Sequence, residues 1–272
     1  MSERDPSLST AEADMAPALA IGGVMTVKQL LFMYEPLLGQ HPIPARDRFF
    51  PIPRHLVKNR EALESKLETD IEQACDKLDE RAVLIGHSLG GHVAVRFGLE
   101  HPDKVAAVVS LAGAQMGVKQ ETPSIRGLTR ILGSPQGRID MQHDSTYMTE
   151  HLDRVASEWS PEVDLHLIAA TIDDMFPGGH SLGVQLPEGQ EVHRRVVGWP
   201  GSTFMNRLLF SGMPAGTKAI HSILPTSHYD IPRNPSVINY VRGVRLAAKY
   251  SETFTPDTPD YDNVPSLIPV AA

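Results

Sequence analysis

Residues 82–95 read AVLIGHSLGGHVAV, and the fold class is most clearly indicated by this segment. Ala82 to Ile85 form an unbroken apolar run, which is typical of a strand covered on both faces of a parallel sheet. A helix is predicted from about Leu89 to Glu100, where Pro102 stops it, and Val105 to Leu111 follows as a second buried strand. A strand, a helix and a further strand in this order make a βαβ unit, so the two strands are predicted to pair in parallel.

Ser88 lies at the junction of the first predicted strand and the helix. Lifting a serine hydroxyl above a sheet requires a sharp turn, which leaves no room for side chains two residues before and after the serine. Gly86 and Gly90 meet that requirement. The helix points its free N–H groups and the positive end of its dipole at the serine, so the Leu89 amide can hold an oxyanion. A glycine-rich turn without chemistry is the plainer interpretation, but the flanking strands and helix favour a nucleophile.

In this context GHSLGG resembles the nucleophile elbow of lipases and esterases in the α/β-hydrolase superfamily, and the resemblance extends over roughly Pro17 to Tyr250. It implies an α/β-hydrolase fold, with a mostly parallel central sheet flanked by helices and a small cap or lid insertion. We expect residues 1–16 to be a flexible N-terminal segment, residues 17–250 a single domain and residues 251–272 a Pro/Asp-rich tail. The cap-like insertion is expected at about residues 115–161, where the rhythm of strands and helices breaks.

The other elements are placed by apolar periodicity. Strands are predicted at Pro17 to Gly23, Val163 to Thr171 and Lys218 to Leu224, and helices at Thr26 to Gly39 (with Tyr34 on the apolar stripe), Asn59 to Leu78, Asp144 to Glu158 and Asn234 to Tyr250. The proline-rich stretch from His41 to Pro53 is expected to be a strand or loop. The region from Gly178 to Gly216 is predicted to be irregular and, with the insertion, to roof the pocket. Met148 and Trp159 of the insertion have two interpretations, contact with substrate or packing on the sheet.

The resemblance also implies an acid and a histidine downstream of Ser88, in that order. After the strand that ends near Thr171 comes IDDMFP, which is similar to the family's pattern of an acid, two residues, an apolar residue and a proline. Asp173 fits that register. Asp174 is the alternative acid, because a loop shift of one residue would exchange the two.

Twelve histidines compete for the role of base. His228 follows the last predicted strand in SHYDIPRNPSVINYV, which resembles the family's histidine, short loop and proline-started helix. His221 lies within the predicted strand and His180 just after the acid loop, so packing or exposure explains each of them. His87 and His92 flank the elbow without the arrangement of a zinc site, and His87 is interpreted as an elbow residue of the lipase type.

A second oxyanion donor is implied by the resemblance, in the loop after the first core strand. Family members often carry histidine and glycine there, whereas this chain has Gly22 and Gly23. The donor is expected to be the backbone N–H of Val24, with Met25 as the alternative. The missing histidine removes a group that orders the loop but leaves the backbone donor in place.

Composition disfavours several classes of function. The formal net charge is −8 and acidic residues are spread along the chain, so there is no basic stripe to attract nucleic acid or an anionic membrane surface. Cys75 is the single cysteine, which excludes a disulfide within the chain. The polar N-terminus and the lack of a long apolar run predict a cytoplasmic protein with no integral membrane segment.

These residues predict a serine hydrolase that cleaves carboxylic esters of small molecules or lipids through an acyl-enzyme on Ser88, with no metal or other cofactor. Thioesterases, amidases and acyltransferases use the same triad, and a non-catalytic binding protein can keep the fold, so these alternatives stay open. The three catalytic residue types occur in the family's order, which favours an enzyme. The oligomeric state is left open.

Overall fold

A single parallel sheet organises the described part of the molecule. The computed structural model describes residues 15–24, 28–52, 60–117, 142–170, 173, 181–198, 218–221 and 227–251. Its strands are β1 (Ala18–Val24), β2 (Phe49–Ile52), β3 (Ala82–His87), β4 (Val105–Leu111), β5 (Asp164–Ala170), β6 (Val192–Gly198) and β7 (Lys218–His221). They lie in the order β2-β1-β3-β4-β5-β6-β7, and every neighbouring pair is parallel. The prediction of a mostly parallel central sheet is confirmed.

Helices cover both faces of this sheet. Within the described ranges they are α1 (Glu35–Leu38), α2 (Arg60–Cys75), α3 (Leu89–Glu100), α4 (Thr146–Glu158) and α5 (Pro235–Tyr250). Apolar side chains of α2, α3 and α4 form the core on one face, and those of α1 and α5 form the core on the other. The prediction that helices flank the sheet is therefore confirmed. None of the described helices has the length and apolar character that crossing a membrane requires.

The central strand β3 shows why its sequence is apolar throughout. Side chains of successive strand residues point to opposite faces of a sheet. Leu84 accordingly packs in the core beneath α2, α3 and α4, whereas Val83 and Ile85 pack in the core beneath α1 and α5. All three are fully buried, so a polar residue at any of these positions would lose water without regaining a partner.

The predicted helix from Thr26 to Gly39 is wrong as one continuous element. The structure has a 3-10 helix at Lys28–Met33, and α1 begins only at Glu35. Pro36 explains the break, because it has no N–H to donate and its ring clashes with the carbonyl group four residues earlier. Proline is tolerated only in the first turn of a helix, which is where α1 places it.

Strand β6 corrects the prediction that the region from Gly178 to Gly216 is irregular. Its residues pair along the length of β5, from Leu165 opposite Val192 to Ala170 opposite Val197. Three consecutive polar residues, 193–195, hide the strand pattern in the sequence. Within the sheet His193 and Arg195 are nevertheless buried. The loop around residues 182–184 accepts hydrogen bonds from the guanidinium of Arg194.

Helix α4 belongs to the core. Met148 and Trp159, at its two ends, are buried against the side chains of α3, so packing is their observed role. Residues 118–141, which make up most of the predicted cap, lie outside the described residues. So do nearly all of the predicted N-terminal segment and all but the first residue of the predicted tail.

Candidate active site

The turn at Ser88 has the strained backbone that its sequence predicts. Ser88 has φ 57° and ψ −125°, a conformation that residues with side chains rarely adopt. A Cβ atom on Gly86 would lie 2.2 Å from the carbonyl oxygen of Gly90, and one on Gly90 would lie 2.4 Å from the carbonyl oxygens of Ile21 and Gly22. Both glycines are therefore required by close approach of backbone, as the sequence pattern indicated.

Ser88 sits between the ends of β1 and β4 at the carboxyl edge of the sheet. Its N–H donates to the carbonyl of Leu111, at 3.0 Å, and its own carbonyl accepts from Gly91, at 2.9 Å. A Cβ atom on Gly23 would lie 2.9 Å from the Cβ and 3.4 Å from the Oγ of Ser88. The end of β1 thus lies against the serine side chain, and α3 begins at the next residue.

This arrangement brings the expected oxyanion region to Ser88. Val24 closes β1 immediately after Gly23, and Leu89 is the first residue of α3. The backbone N–H of Leu89 belongs to the first turn of α3, where amides have no partner within the helix. Met25, the alternative to Val24, lies outside the described residues.

His228 and Asp173 meet at the same edge of the sheet. The Nδ1 atom of His228 lies 2.9 Å from Oδ2 of Asp173, and the two side chains are 2% and 0% exposed. Because the carboxylate can only accept, the proton between the two side chains lies on Nδ1 of His228. Asp174, the alternative acid, lies outside the described residues. The sequence placed these two residues 55 positions apart (228 minus 173), and the fold brings them into contact.

His87 connects the elbow to the loop that carries His228. Its Nε2 lies 2.8 Å from the backbone carbonyl oxygen of His228, and its Nδ1 lies 3.0 Å from the hydroxyl of Tyr34. Burial, together with the neighbouring His228, lowers the pKa of His87 to about 3, so the ring is neutral. Sequence reasoning missed Tyr34, whose place on an apolar stripe suggested only packing.

The remaining histidines of interest lie elsewhere. His92 points away to Tyr147, whose hydroxyl lies 2.8 Å from its Nε2. His180 and the side chain of His221 lie outside the described residues. Among the described residues, one group with possible metal-ligand spacing is Glu68, Glu100 and His101, at the end of α3 opposite Ser88. The Glu100 carboxylate of this group is already paired with Arg96, at 3.2 Å, and with Arg154, at 3.1 Å.

Comparison with known proteins agrees with this architecture. Residues 47–143 match the model of a family described as alpha/beta hydrolase fold. They span the elbow and the strands on either side of it. The chain has the α/β-hydrolase fold. The resemblance of GHSLGG to a nucleophile elbow predicted the α/β-hydrolase superfamily, and the match to the family model supports that prediction.

Known proteins similar to this α/β-hydrolase-fold chain have several activities. A 1-acylglycerol-3-phosphate O-acyltransferase of Arabidopsis thaliana is 28% identical over 108 residues, which are 39% of this chain and 24% of the plant protein. A 2-hydroxy-6-oxononadienedioate/2-hydroxy-6-oxononatrienedioate hydrolase of Paraburkholderia phymatum is 46% identical over 44 residues, 16% of this chain and 15% of that protein. These matches span a quarter or less of the length of the curated relatives.

One solved structure that is similar to this chain is a monoacylglycerol lipase of Paleococcus ferrophilus. It is 14% identical, with 85% of this chain and 96% of the lipase covered and a TM-score of 0.45.

Proposed function

We propose that this chain is a serine hydrolase that cleaves carboxylic esters of small molecules or lipids, with Ser88, His228 and Asp173 as its triad. The observation that carries the proposal is the buried hydrogen bond between His228 and Asp173, at the edge of the sheet where the strained turn presents Ser88. A serine hydroxyl is a poor nucleophile unless a base takes its proton, and an oriented imidazole is the usual base.

The proposed reaction begins when Oγ of Ser88 attacks the ester carbonyl and its proton passes to Nε2 of His228. The carbonyl electron pair moves to oxygen, where the amides of Val24 and Leu89 stabilise the anion. Collapse of this intermediate breaks the bond to the alkoxy group, which takes the proton from His228 and leaves as an alcohol. Water then attacks the acyl-serine with the same base, which releases the acid and restores Ser88. Throughout, Asp173 holds the imidazole in its productive tautomer.

A fluorophosphonate probe and a panel of aryl esters of increasing acyl length test this proposal. Wild type should be labelled and Ser88→Ala should not, with its circular dichroism spectrum unchanged. Labelling of Ser88→Ala at the wild-type rate would exclude this nucleophile. Including a thioester and an anilide in the panel separates the proposed esterase from a thioesterase or an amidase. Absence of turnover on every member would favour the non-catalytic binding alternative.

The acid can be assigned with a matched pair of variants. Asp173→Asn should lower kcat by about 10⁴-fold, because an amide in place of the carboxylate favours the wrong tautomer of the histidine. Asp174→Asn makes the same change of charge one residue later and should stay within about threefold of wild type. The opposite ranking would move the acid to Asp174.

Acyl transfer is a second candidate function, which the similarity to the plant acyltransferase favours. In this reaction the acyl-serine would be attacked by an alcohol instead of water. Product analysis with a thioester or ester donor, with and without 1-acylglycerol-3-phosphate, distinguishes the two. Under the proposed hydrolase the free acid is the main product in both cases, whereas a diacylated product would favour the transferase.

A further inference from the structure

The hydroxyl of Tyr34 and the ring of His87 form a buried connection between parts of the site that are distant in sequence. Tyr34 lies just before α1, and His87 is the last residue of β3. Their hydrogen bond, Tyr34 Oη to His87 Nδ1, is 3.0 Å long. Both residues are buried, with 1% and 5% of their surface exposed. Neither residue is a member of the proposed triad.

The chemistry of the partners determines where the protons lie. Nε2 of His87 faces the backbone carbonyl oxygen of His228, which can only accept, so Nε2 carries hydrogen. The ring is neutral because burial and the neighbouring His228 lower the pKa of His87 to about 3. Nδ1 is then an acceptor, and the Tyr34 hydroxyl is its donor.

The oxygen of Tyr34 in turn accepts a hydrogen bond from the backbone of Gly23, at the end of β1. One continuous path therefore runs from the Gly23 amide through Tyr34 and His87 to the backbone of His228. It joins the strand end beside Ser88 to the loop of the proposed base. The Gly23 amide is occupied by this path, which agrees with Val24 as the oxyanion donor.

Packing contacts and a buried arginine flank this path. The ring of Tyr34 lies 4.7 Å from that of Phe49, measured between centroids. The buried guanidinium of Arg48 donates to the carbonyl oxygens of Leu38, at 2.8 Å, and Gly39, at 2.9 Å, and so fixes the end of α1. The ring of His87 lies 4.9 Å from the ring of His228. We expect small shifts at Tyr34 to alter the position of the loop that carries His228.

We propose that Tyr34 and His87 are positioning residues. They hold the end of β1, which carries the proposed oxyanion donor, and the loop that carries His228 in the correct positions around Ser88. This inference rests on the proposed function of Ser88 and His228. A neutral His87 also suits the reaction, because a second positive charge 4.9 Å from the ring of His228 would oppose formation of the imidazolium. The path acts through His228 and Gly23 and does not touch the reacting atoms.

Tyr34→Phe tests this proposal by removing the hydroxyl and keeping the ring. We expect kcat for an aryl ester to fall about 10- to 100-fold, with KM within about twofold of wild type, because misplaced catalytic groups slow the chemical step. Tyr240→Phe is the matched control. It removes a second buried tyrosine–histidine hydrogen bond, 2.9 Å long, between Tyr240 and His166. Its kcat should equal that of wild type.

Variants of His87 provide an independent measurement. Leucine at this position removes both hydrogen bonds and should lower kcat at least as much as Tyr34→Phe. Glutamine can supply one donor and one acceptor, so His87→Gln should recover part of the loss. The double variant Tyr34→Phe/His87→Leu should be no slower than His87→Leu alone, because both changes interrupt one path.

The outcomes separate this proposal from the proposed function. If wild type reacts with a fluorophosphonate at Ser88 but Tyr34→Phe and Tyr240→Phe have the same kcat, the positioning role is overturned and the hydrolase proposal stands. Additive losses in the double variant, or no recovery with glutamine, also count against the path. If wild-type Ser88 is not labelled and hydrolyses no ester, both proposals fall.

Discussion

Replacing His151 with leucine should make the stability of this protein less sensitive to acid. His151 is a buried residue of α4, and its ring lies 4.3 Å from that of His92. Its Nε2 has no hydrogen-bond partner among the residues that the structure describes. Burial, together with the positive charges of Arg96 and Arg154, lowers the pKa of His151 to about 4. The folded protein therefore holds this imidazole in its neutral form.

The sign and size of the effect follow from proton binding. Between pH 6.5 and about 4 the unfolded chain binds a proton at His151 that the folded protein does not. The stabilisation is complete above pH 6.5 and is lost as the pH falls towards 4. From pH 7 to pH 5 this one residue accounts for a loss of about 2 kcal/mol in the free energy of unfolding.

Urea unfolding at pH 7 and pH 5, at matched ionic strength, measures this loss. The decrease between the two pH values should be about 2 kcal/mol smaller in His151→Leu than in wild type. Met148→Leu is the control, since it also replaces a buried side chain of α4 but removes no titrating group. It should show the wild-type decrease. An equal decrease in His151→Leu and wild type would contradict a lowered pKa of His151 in the folded protein, because the residue would then not resist protonation.

Two further predictions concern the elbow and the closing helix. Gly90→Ala places a methyl group against two backbone carbonyls and should cost about 3 kcal/mol of stability or more by urea unfolding. Gly23→Ala instead meets the Ser88 side chain, so ester hydrolysis should fall at least about tenfold with a smaller loss of stability than in Gly90→Ala. Equal stability losses would contradict this difference. Asn234→Ala removes the side-chain cap that accepts from Ser236 and Val237, which should cost about 1 kcal/mol, whereas Asn234→Asp should retain most of that stability.

The centre of the fold could be predicted from the sequence because its signals are local. Helix Leu89–Glu100 and strand Val105–Leu111 have the predicted bounds, since each is an apolar segment with a clear stop. Strand β6 could not be found in this way. Its His193 and Arg195 are buried through contacts with neighbouring elements, such as the stacking of His193 on His166. The local sequence pattern does not predict such contacts.

In the candidate site, too, some residues could be predicted from the local sequence and others could not. Ser88 could be singled out because its requirements, two glycines and a following helix, lie within five residues of the chain. Asp173 and His228 needed the order of residues in a known superfamily, because nothing in their own neighbourhoods indicates that they meet. The contact of Tyr34 with His87 spans 53 residues and was hidden, since a tyrosine on an apolar stripe reads as part of the core.

Charge at the site supports the proposed reaction in a further way. The Asp173 carboxylate is fully buried, so it has lost the water that would stabilise its charge. In the proposed reaction the proton of Ser88 passes to His228, and the imidazolium so formed pairs with the Asp173 carboxylate, whose Oδ2 lies 2.9 Å from Nδ1. Under this proposal the interaction strengthens as the imidazolium forms, which is the condition for accelerating the chemical step.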